Sequence, residues 1–256
     1  MSGSRASQWR ALKAKIAGLE AGAAANAPVR PFGDADLDGA FPAGGLPLGR
    51  WHEIAGDGLE VETAAAAAAF AAALAQPLAE TGAVVWVMRR EDLHAPGLAH
   101  LGFPARRLIQ VSVTRESEVL AALEDALGAA GVAAVIGEAE GVDLTAGRRL
   151  QLACERRGAT GFVLRRRPYG GGPVREAAGS ASATRWRIGP APSDPGEAPG
   201  LGPPRWRATL ERCRGGRPGA WLMEKIDGPQ ALRVVAGLGD RQLEAPQSGP
   251  LWRQAG

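Results

Sequence analysis

The chain has few cysteines, few histidines and almost no lysine. Cys154 and Cys213 are its only two cysteines in 256 residues; they stand far apart, with no CxxC spacing. That argues against a disulfide framework or a thiolate metal site and for buried thiols. The three histidines, His52, His94 and His100, share no ligand spacing, so structural or surface roles are expected and no metal site. No apolar run reaches the ~18 residues that a membrane span needs, and the apolar stretch 64–75 is mostly alanine. The opening "MSGSRASQWRALKAKIAGLE" lacks the apolar core of a signal peptide. These absences point to a cytoplasmic protein without membrane contact.

What is present is ordinary in bulk. Hydrophobic residues make up 45% and charged residues 22%, as in a soluble globular domain. The length fits one sizeable α/β domain with appendages, or two small domains. The net charge is only +3, but it is uneven: residues 156–225 hold 14 Lys/Arg against 5 Asp/Glu. Such a stretch permits nucleic-acid or acidic-protein binding, and it also fits a solvated basic face. Of the 30 basic residues, 27 are arginine.

Hydrophobic spacing divides the chain into three parts. In residues 8–20, Trp9, Leu12, Ile16 and Leu19 fall on one stripe of an amphipathic helix, with Arg10, Lys13 and Lys15 off it. "AGAAANAPVRP" then reads as a linker, so 1–31 is a helical appendage. From Phe32, strands at 50–56, 83–89, 107–113, 132–138 and 160–167 alternate with helices at about 63–78, 116–131 and 144–158. Alternation of this kind predicts an α/β fold: a mainly parallel sheet covered by helices on both faces. After Arg167 come a Gly-rich loop and period-two strands at 183–190, 204–214 and 216–226, which read as an antiparallel extension of the sheet. The core is thus 32–226. The remaining 227–256 reads as a short helix around "QALRVVAGL" and a polar tail.

One loop asks for chemistry. A phosphate-binding loop reads G-x-x-x-x-G-K-[ST], and residues 56–63 read "GDGLEVET". Gly56 and Thr63 are in place, but Val61 stands for the second glycine and Glu62 for the lysine. A unit charge pair at ~4 Å in a medium of effective dielectric ~20 is worth about 4 kcal/mol. Reversing the sign at Glu62 turns an attraction of that size into a repulsion, and Asp57 and Glu60 add to it. A β-branched Val61 resists the positive φ that glycine tolerates, and Thr63 also suits a helix N-cap. The loop is therefore read as degenerate, with no catalytic residue, nucleotide cofactor or metal. Its remaining task is to join a buried strand to a buried helix.

Order and motifs resemble a known family. "FPAGGLPLGRWHEIAG" is similar to the segment leading into the phosphate loop of the RecA recombinase core. "LHAPGLAHLGFP", "DLTAGRRLQLACERRGATGFVLRR" and the paired "TRWRI" and "PRWRATLERCRGG" resemble the ImuA family, RecA-related proteins of bacterial mutagenesis operons. The likeness runs from about Phe32 to Ile226. It implies a RecA-like core and a role in DNA-damage-induced mutagenesis, within the SOS response and translesion synthesis. The partners it implies are an ImuB-like adaptor, an error-prone DnaE-type polymerase and RecA. The rival expectations are a DNA-stimulated ATPase with an unusual loop and, less well supported, a SulA-like inhibitor of cell division.

The resemblance also assigns positions. The Mg2+-holding acidic position at the end of the fourth strand falls at Glu138, with Glu140 close by, and Glu91 aligns near a water-activating glutamate. Without the lysine these read as plain carboxylates. The first DNA-binding loop of RecA-type cores is effectively missing. The second corresponds to about 169–183, carries Arg175, and has Arg165, Arg166 and Arg167 at its entrance. Those four arginines are the candidate DNA contacts, with weak or indirect binding expected. Trp186 and Trp206, each flanked by arginines, are expected to point inward. RecA docks on its neighbour through an N-terminal helix, so Trp9, Leu12, Ile16 and Leu19 are the candidate partner-binding residues.

Overall fold

The computed structural model describes Ser7 and residues 28–167, 180–196 and 200–238. The appendage residues Trp9, Leu12, Ile16 and Leu19 lie outside the described residues, as do Arg175 and the tail from 239.

Two short strands, β1 (Val29–Arg30) and β2 (Leu46–Pro47), pair antiparallel, with α1 (Ala35–Asp38) between them. The main chain of elements then runs β3 (Trp51–Gly56), α2 (Glu60–Ala75, continued by a 3-10 turn to Glu80), β4 (Ala83–Met88), α3 (Ala95–His100) and β5 (Leu108–Ser112). It continues with α4 (Glu116–Gly128), β6 (Val132–Ala139), α5 (Leu144–Arg157) and β7 (Thr160–Arg165). The last four strands are β8 (Thr184–Ala191), β9 (Arg205–Cys213), β10 (Gly219–Lys225) and β11 (Leu232–Gly237). They build one nine-stranded sheet of order β11-β10-β9-β8-β3-β7-β6-β4-β5. From β8 to β5 all neighbours are parallel; β8 to β11 are antiparallel. The expected α/β architecture with an antiparallel extension is what the structure has.

The parallel strands are apolar because both faces are covered. On one face α2, led by its Phe70, shares a core with Trp86, Trp186, Trp206 and Trp221. On the other, α4 and α5 enclose Trp51, Val87, Leu123, Leu127 and Leu150. The alanines of α2 let the helix lie close to the sheet, and Phe70 reaches in to ring centroids of Trp186 at 5.7 Å and Trp206 at 5.9 Å. Both tryptophans point inward as expected. Gly137 on β6 makes room for α4: a Cβ there would sit 2.4 Å from Leu123 Cδ1.

Three expectations need correction. The segment around "QALRVVAGL" is not a helix. Leu232 and Val234 alternate toward the core, and Lys225↔Leu232 and Met223↔Val234 pair across to β10, so β-branched residues on a pleated edge win over helix formation. The sheet therefore continues past residue 226. The central helix begins at Glu60 rather than Thr63, because Glu60 and Glu62 in its first turn suit the helix dipole. With its 3-10 continuation, Glu60–Glu80 makes 21 residues, long and apolar enough to cross a bilayer, though 56% of its most apolar window is buried against the protein's own sheet.

His52 ties the small sheet to the large one. Its Nε2 lies 2.9 Å from the Pro47 carbonyl, which can only accept, so Nε2 carries the hydrogen and Nδ1 accepts from Thr184 Oγ1 at 2.8 Å. Burial pushes its pKa down to about 4, against the opposing pull of the Pro47 carbonyl. The unfolded imidazole takes up a proton below its ordinary value near 6.5, while the folded one stays neutral. Stability is therefore present above pH 6.5 and is lost as pH falls toward 4. Denaturant unfolding at pH 7 and pH 4.5 should show His52→Gln losing about 2–3 kcal/mol less on acidification than the wild type. An equal loss in both would remove His52 as the source.

Candidate functional site

The connection from β3 to α2 is only Asp57, Gly58 and Leu59. One of its backbone amides, and two in the first turn of the helix, are engaged inside the protein. Asp57 N donates to the Ile188 carbonyl of β8 at 2.8 Å, and Glu62 N and Thr63 N donate to the Leu59 carbonyl at 3.0 and 3.1 Å. Thr63 is buried in the first turn and does not cap the helix. Leu59 holds the N-cap position without a side-chain bond, and Thr63 Oγ1 donates back to the Leu59 carbonyl at 3.0 Å. Gly56 is required by this arrangement, since a Cβ there would meet Thr63 Oγ1 at 2.1 Å. Val61 and Glu62 lie on the exposed side of the helix. Val61 has helical backbone, so the strain expected of a β-branched residue does not arise.

The place beside this loop is filled by a cation. Arg166, just past β7, is 8% exposed. Its Nε donates to Glu60 Oε1 at 2.8 Å. Its Nη1 and Nη2 hold Asp92 Oδ1 and Oδ2 at 3.1 and 3.0 Å, and Nη1 also meets Glu138 Oε2 at 2.8 Å. Glu138 is 2% exposed, and its other oxygen accepts from Trp86 Nε1 at 2.8 Å. One guanidinium thus binds the start of α2, the segment after β4 and the end of β6.

The electrostatics follow from burial and pairing. Burial raises the Glu138 pKa, with Arg166 and Trp86 pulling the other way. Hydrogen bonds from Arg166 hold Asp92 below the usual carboxylate range. Burial works against the Arg166 cation, but Asp92, Glu138 and Glu60 together outweigh it and raise its pKa.

A second buried arginine lies on the other face of the sheet. Arg165 is 7% exposed and donates to Glu53 Oε1 at 2.5 Å and to the Glu140 carbonyl at 2.8 Å, while Arg185 reaches Glu53 Oε2 at 3.3 Å. Burial acts to raise Glu53, and Arg185 and Arg165 overcome it to leave its pKa lowered. Arg165 and Arg166, two of the expected DNA contacts, therefore turn their guanidiniums into the protein's own carboxylates. Arg167 is half-buried beside them, with its amide 3.4 Å from Glu60 Oε2. Glu91 is exposed, and Glu140 pairs with Arg89 at 3.1 Å.

Sequence reasoning marked Glu138 and Arg166 separately and missed Asp92 and Trp86. The available signal was opposite charge at the C-terminal ends of neighbouring strands: "RED" after β4, Glu138 in β6 and "RRR" after β7. Next to the network runs a groove of about 840 Å³ between α2 and α3. Leu59, Val61 and Ala65 line one wall and Leu93, Leu98 and Leu101 the other. Among the described residues, no group of three or more His, Cys, Asp or Glu is placed to hold a metal ion.

These features define an α/β protein in which the start of the helix after the central strand is tied, through Glu60, into an arginine–carboxylate network. No family model matches the chain. It is 58% identical over 240 residues to Protein ImuA of Caulobacter vibrioides strain NA1000 / CB15N, and equally to that of strain ATCC 19089 / CIP 103742 / CB 15. Each match covers 90% of this chain and 98% of the relative. The chain belongs to the ImuA family. Among solved structures, SulA from Pseudomonas aeruginosa overlaps 45% of this chain and 96% of its own, at 18% identity and a TM-score of 0.39. That overlap is too low to bear on function.

Replacing Arg166 by methionine strands the buried Glu138 without its cation, while Glu60 and Asp92 keep contact with solvent. Breaking a buried pair from one side costs about 3–5 kcal/mol. Urea unfolding should show Arg166→Met destabilised by that order at pH 7. The deficit should shrink toward pH 5 as the orphaned carboxylate takes up a proton. Glu138→Gln, which keeps an acceptor for Arg166, should cost less.

Proposed function

We propose that this protein is a non-catalytic adaptor with a RecA-like core, acting in DNA-damage-induced translesion synthesis. Its partners are an ImuB-like adaptor, an error-prone DnaE-type polymerase and RecA, and it meets them through protein contacts in the cytoplasm. Family membership supports the setting. The observation that carries the non-catalytic reading is the Arg166 network. In a working phosphate loop, lysine, free amides and a metal-holding acid face the nucleotide. Here the acid at that position, Glu138, is taken up by Arg166 and Trp86. The amides of Asp57, Glu62 and Thr63 bond to protein carbonyls. A phosphate arriving at the helix start meets Glu60 and Glu62 instead of lysine.

On this reading the network is a brace. It fixes the start of α2 and the ends of β6 and β7 relative to each other, so that surfaces beside them keep a constant shape. Such a scaffold suits a protein that positions others and does no chemistry.

Calorimetry and a hydrolysis assay with ATP and Mg2+, with and without single-stranded DNA, test the proposal directly. Neither wild type nor Glu62→Lys should bind or hydrolyse ATP, because restoring one lysine leaves Arg166 and its carboxylates in place. Micromolar binding by the wild type would overturn the adaptor reading in favour of the ATPase. In capture assays, deleting residues 1–25, with Trp9, Leu12, Ile16 and Leu19, should weaken retention of RecA or the ImuB-like partner without changing the unfolding of the core. Unchanged retention of both would exclude that segment as the contact.

A further inference from the structure

The antiparallel extension has two faces of opposite character. Trp186, Trp206, Leu210 and Trp221 turn toward α2 and are buried. The alternate residues of β8 and β9, Arg185, Arg187, Arg207 and Thr209, are only partly covered. An antiparallel sheet can leave one face to solvent, so openness alone means little. The arrangement of charge on this face is the unusual part.

Arg185 of β8 stands directly opposite Arg212 of β9 in the strand register. Like charges at opposed positions destabilise a sheet, and the chain adds Arg214 two residues on. Arg212 feels the crowding: burial first, then Arg185 and Arg214, lower its pKa. The opposing charge that Arg212 feels comes from Glu53, a carboxylate already engaged by Arg165 and Arg185. The Arg212 guanidinium donates to the Ser180 carbonyl at 2.6 Å and to the Ser182 carbonyl, and Arg214 donates to the Ala181 carbonyl at 3.4 Å. Neutral acceptors hold these guanidiniums in position, and the single Glu53 carboxylate, shared with Arg165 and Arg185, offsets only part of the positive charge around them. Beside them is a groove of about 500 Å³ between α5 and residues 180–181. Arg148 and Arg214 line it together with Leu144 and Leu152, which are 51% and 56% exposed.

We propose that Arg148, Arg214, Arg212 and Arg207 form a binding track for the phosphate backbone of a nucleic acid, leading from the groove beside α5 onto the open face of β8 and β9. Arg207 and Arg212 are five residue steps apart along β9, with a register shift between them that brings Arg212 to the same face. At the usual strand rise that is at most about 17 Å. Cations strung over that length suit a ligand of evenly repeated negative charge, and a guanidinium fork matches a phosphate. The leucines of the groove offer an apolar seat for sugars and bases. With the indoles of β8 and β9 turned inward, these two strands offer no aromatic platform on this face. Binding is therefore blind to base identity and strongly dependent on salt. The track lies apart from Arg166 and does not depend on the adaptor reading.

Fluorescence anisotropy on the full chain tests it, using a 30-nucleotide oligothymidylate, a 30-base-pair duplex and polyglutamate between 50 and 200 mM salt. Arg148→Glu combined with Arg207→Glu should weaken nucleic-acid binding at least tenfold at 50 mM salt. For the single strand, the slope of log affinity against log salt should fall by about 1.4, near 0.7 for each phosphate no longer neutralised. The milder Arg148→Gln with Arg207→Gln should shift in the same direction. Arg106→Glu with Arg107→Glu, at the far edge before β5, should leave affinity unchanged. Whichever of single strand or duplex binds more tightly and responds to the variants is the form the track takes. The proposal falls if the track variants bind as the wild type does, if the far-edge control loses as much, or if polyglutamate binds as tightly as DNA.

Discussion

One buried cation organises the centre of this protein. Arg166 brings together carboxylates from the start of α2, the segment after β4 and the end of β6. Glu60 and Asp92 reach in from partly open positions, but Glu138 would be costly to bury alone, and so would the arginine. Held together they satisfy one another, and Glu138 gains a further bond from Trp86. A buried ion cluster of this sort contributes little net stability compared with apolar packing. What it sets is geometry: the helix start cannot swing away from the sheet without breaking several charged contacts at once.

The same logic recurs across the sheet. Glu53 sits between Arg165 and Arg185 on the face opposite Arg166, so the end of β7 and the start of β8 are pinned to the central strand on both sides. Farther out, Glu224 joins Arg205 and Arg233 across β9, β10 and β11. Arginine is well suited to such work, because its rigid fork meets two or three oxygens in one plane. That gives a structural use to a chain that carries 27 arginines and three lysines.

Much of the fold was legible in the sequence because the parallel strands are long apolar runs and the helices have clear stripes. The alternation in "TRWRI" and "PRWRATLERC" told inward tryptophan from outward arginine correctly. The failures came where short-range pattern and tertiary pairing disagree. "LRVVAG" suits either a frayed helix or an edge strand, and only its neighbour β10 decides. The site was half legible. Departures at Val61 and Glu62 could be read against a motif, but the partnership of Arg166 with Asp92 and Glu138 spans 74 and 28 residues of chain. Strand order brings those residues together, and no spacing rule encodes it.

The central strand β3 has consequences for how the chain is made. Its two sheet neighbours, β7 and β8, begin at Thr160 and Thr184, more than a hundred residues after Trp51. While the ribosome is still adding α5, β3 has neither edge paired, and Glu53 waits for arginines 112 and 132 residues downstream. Contacts of such long range slow folding and leave sticky strand edges exposed meanwhile. The N-terminal half therefore cannot mature as an independent unit during translation. A message cut short before residue 160 yields a fragment with an open centre, fit for proteolysis or chaperone capture rather than function.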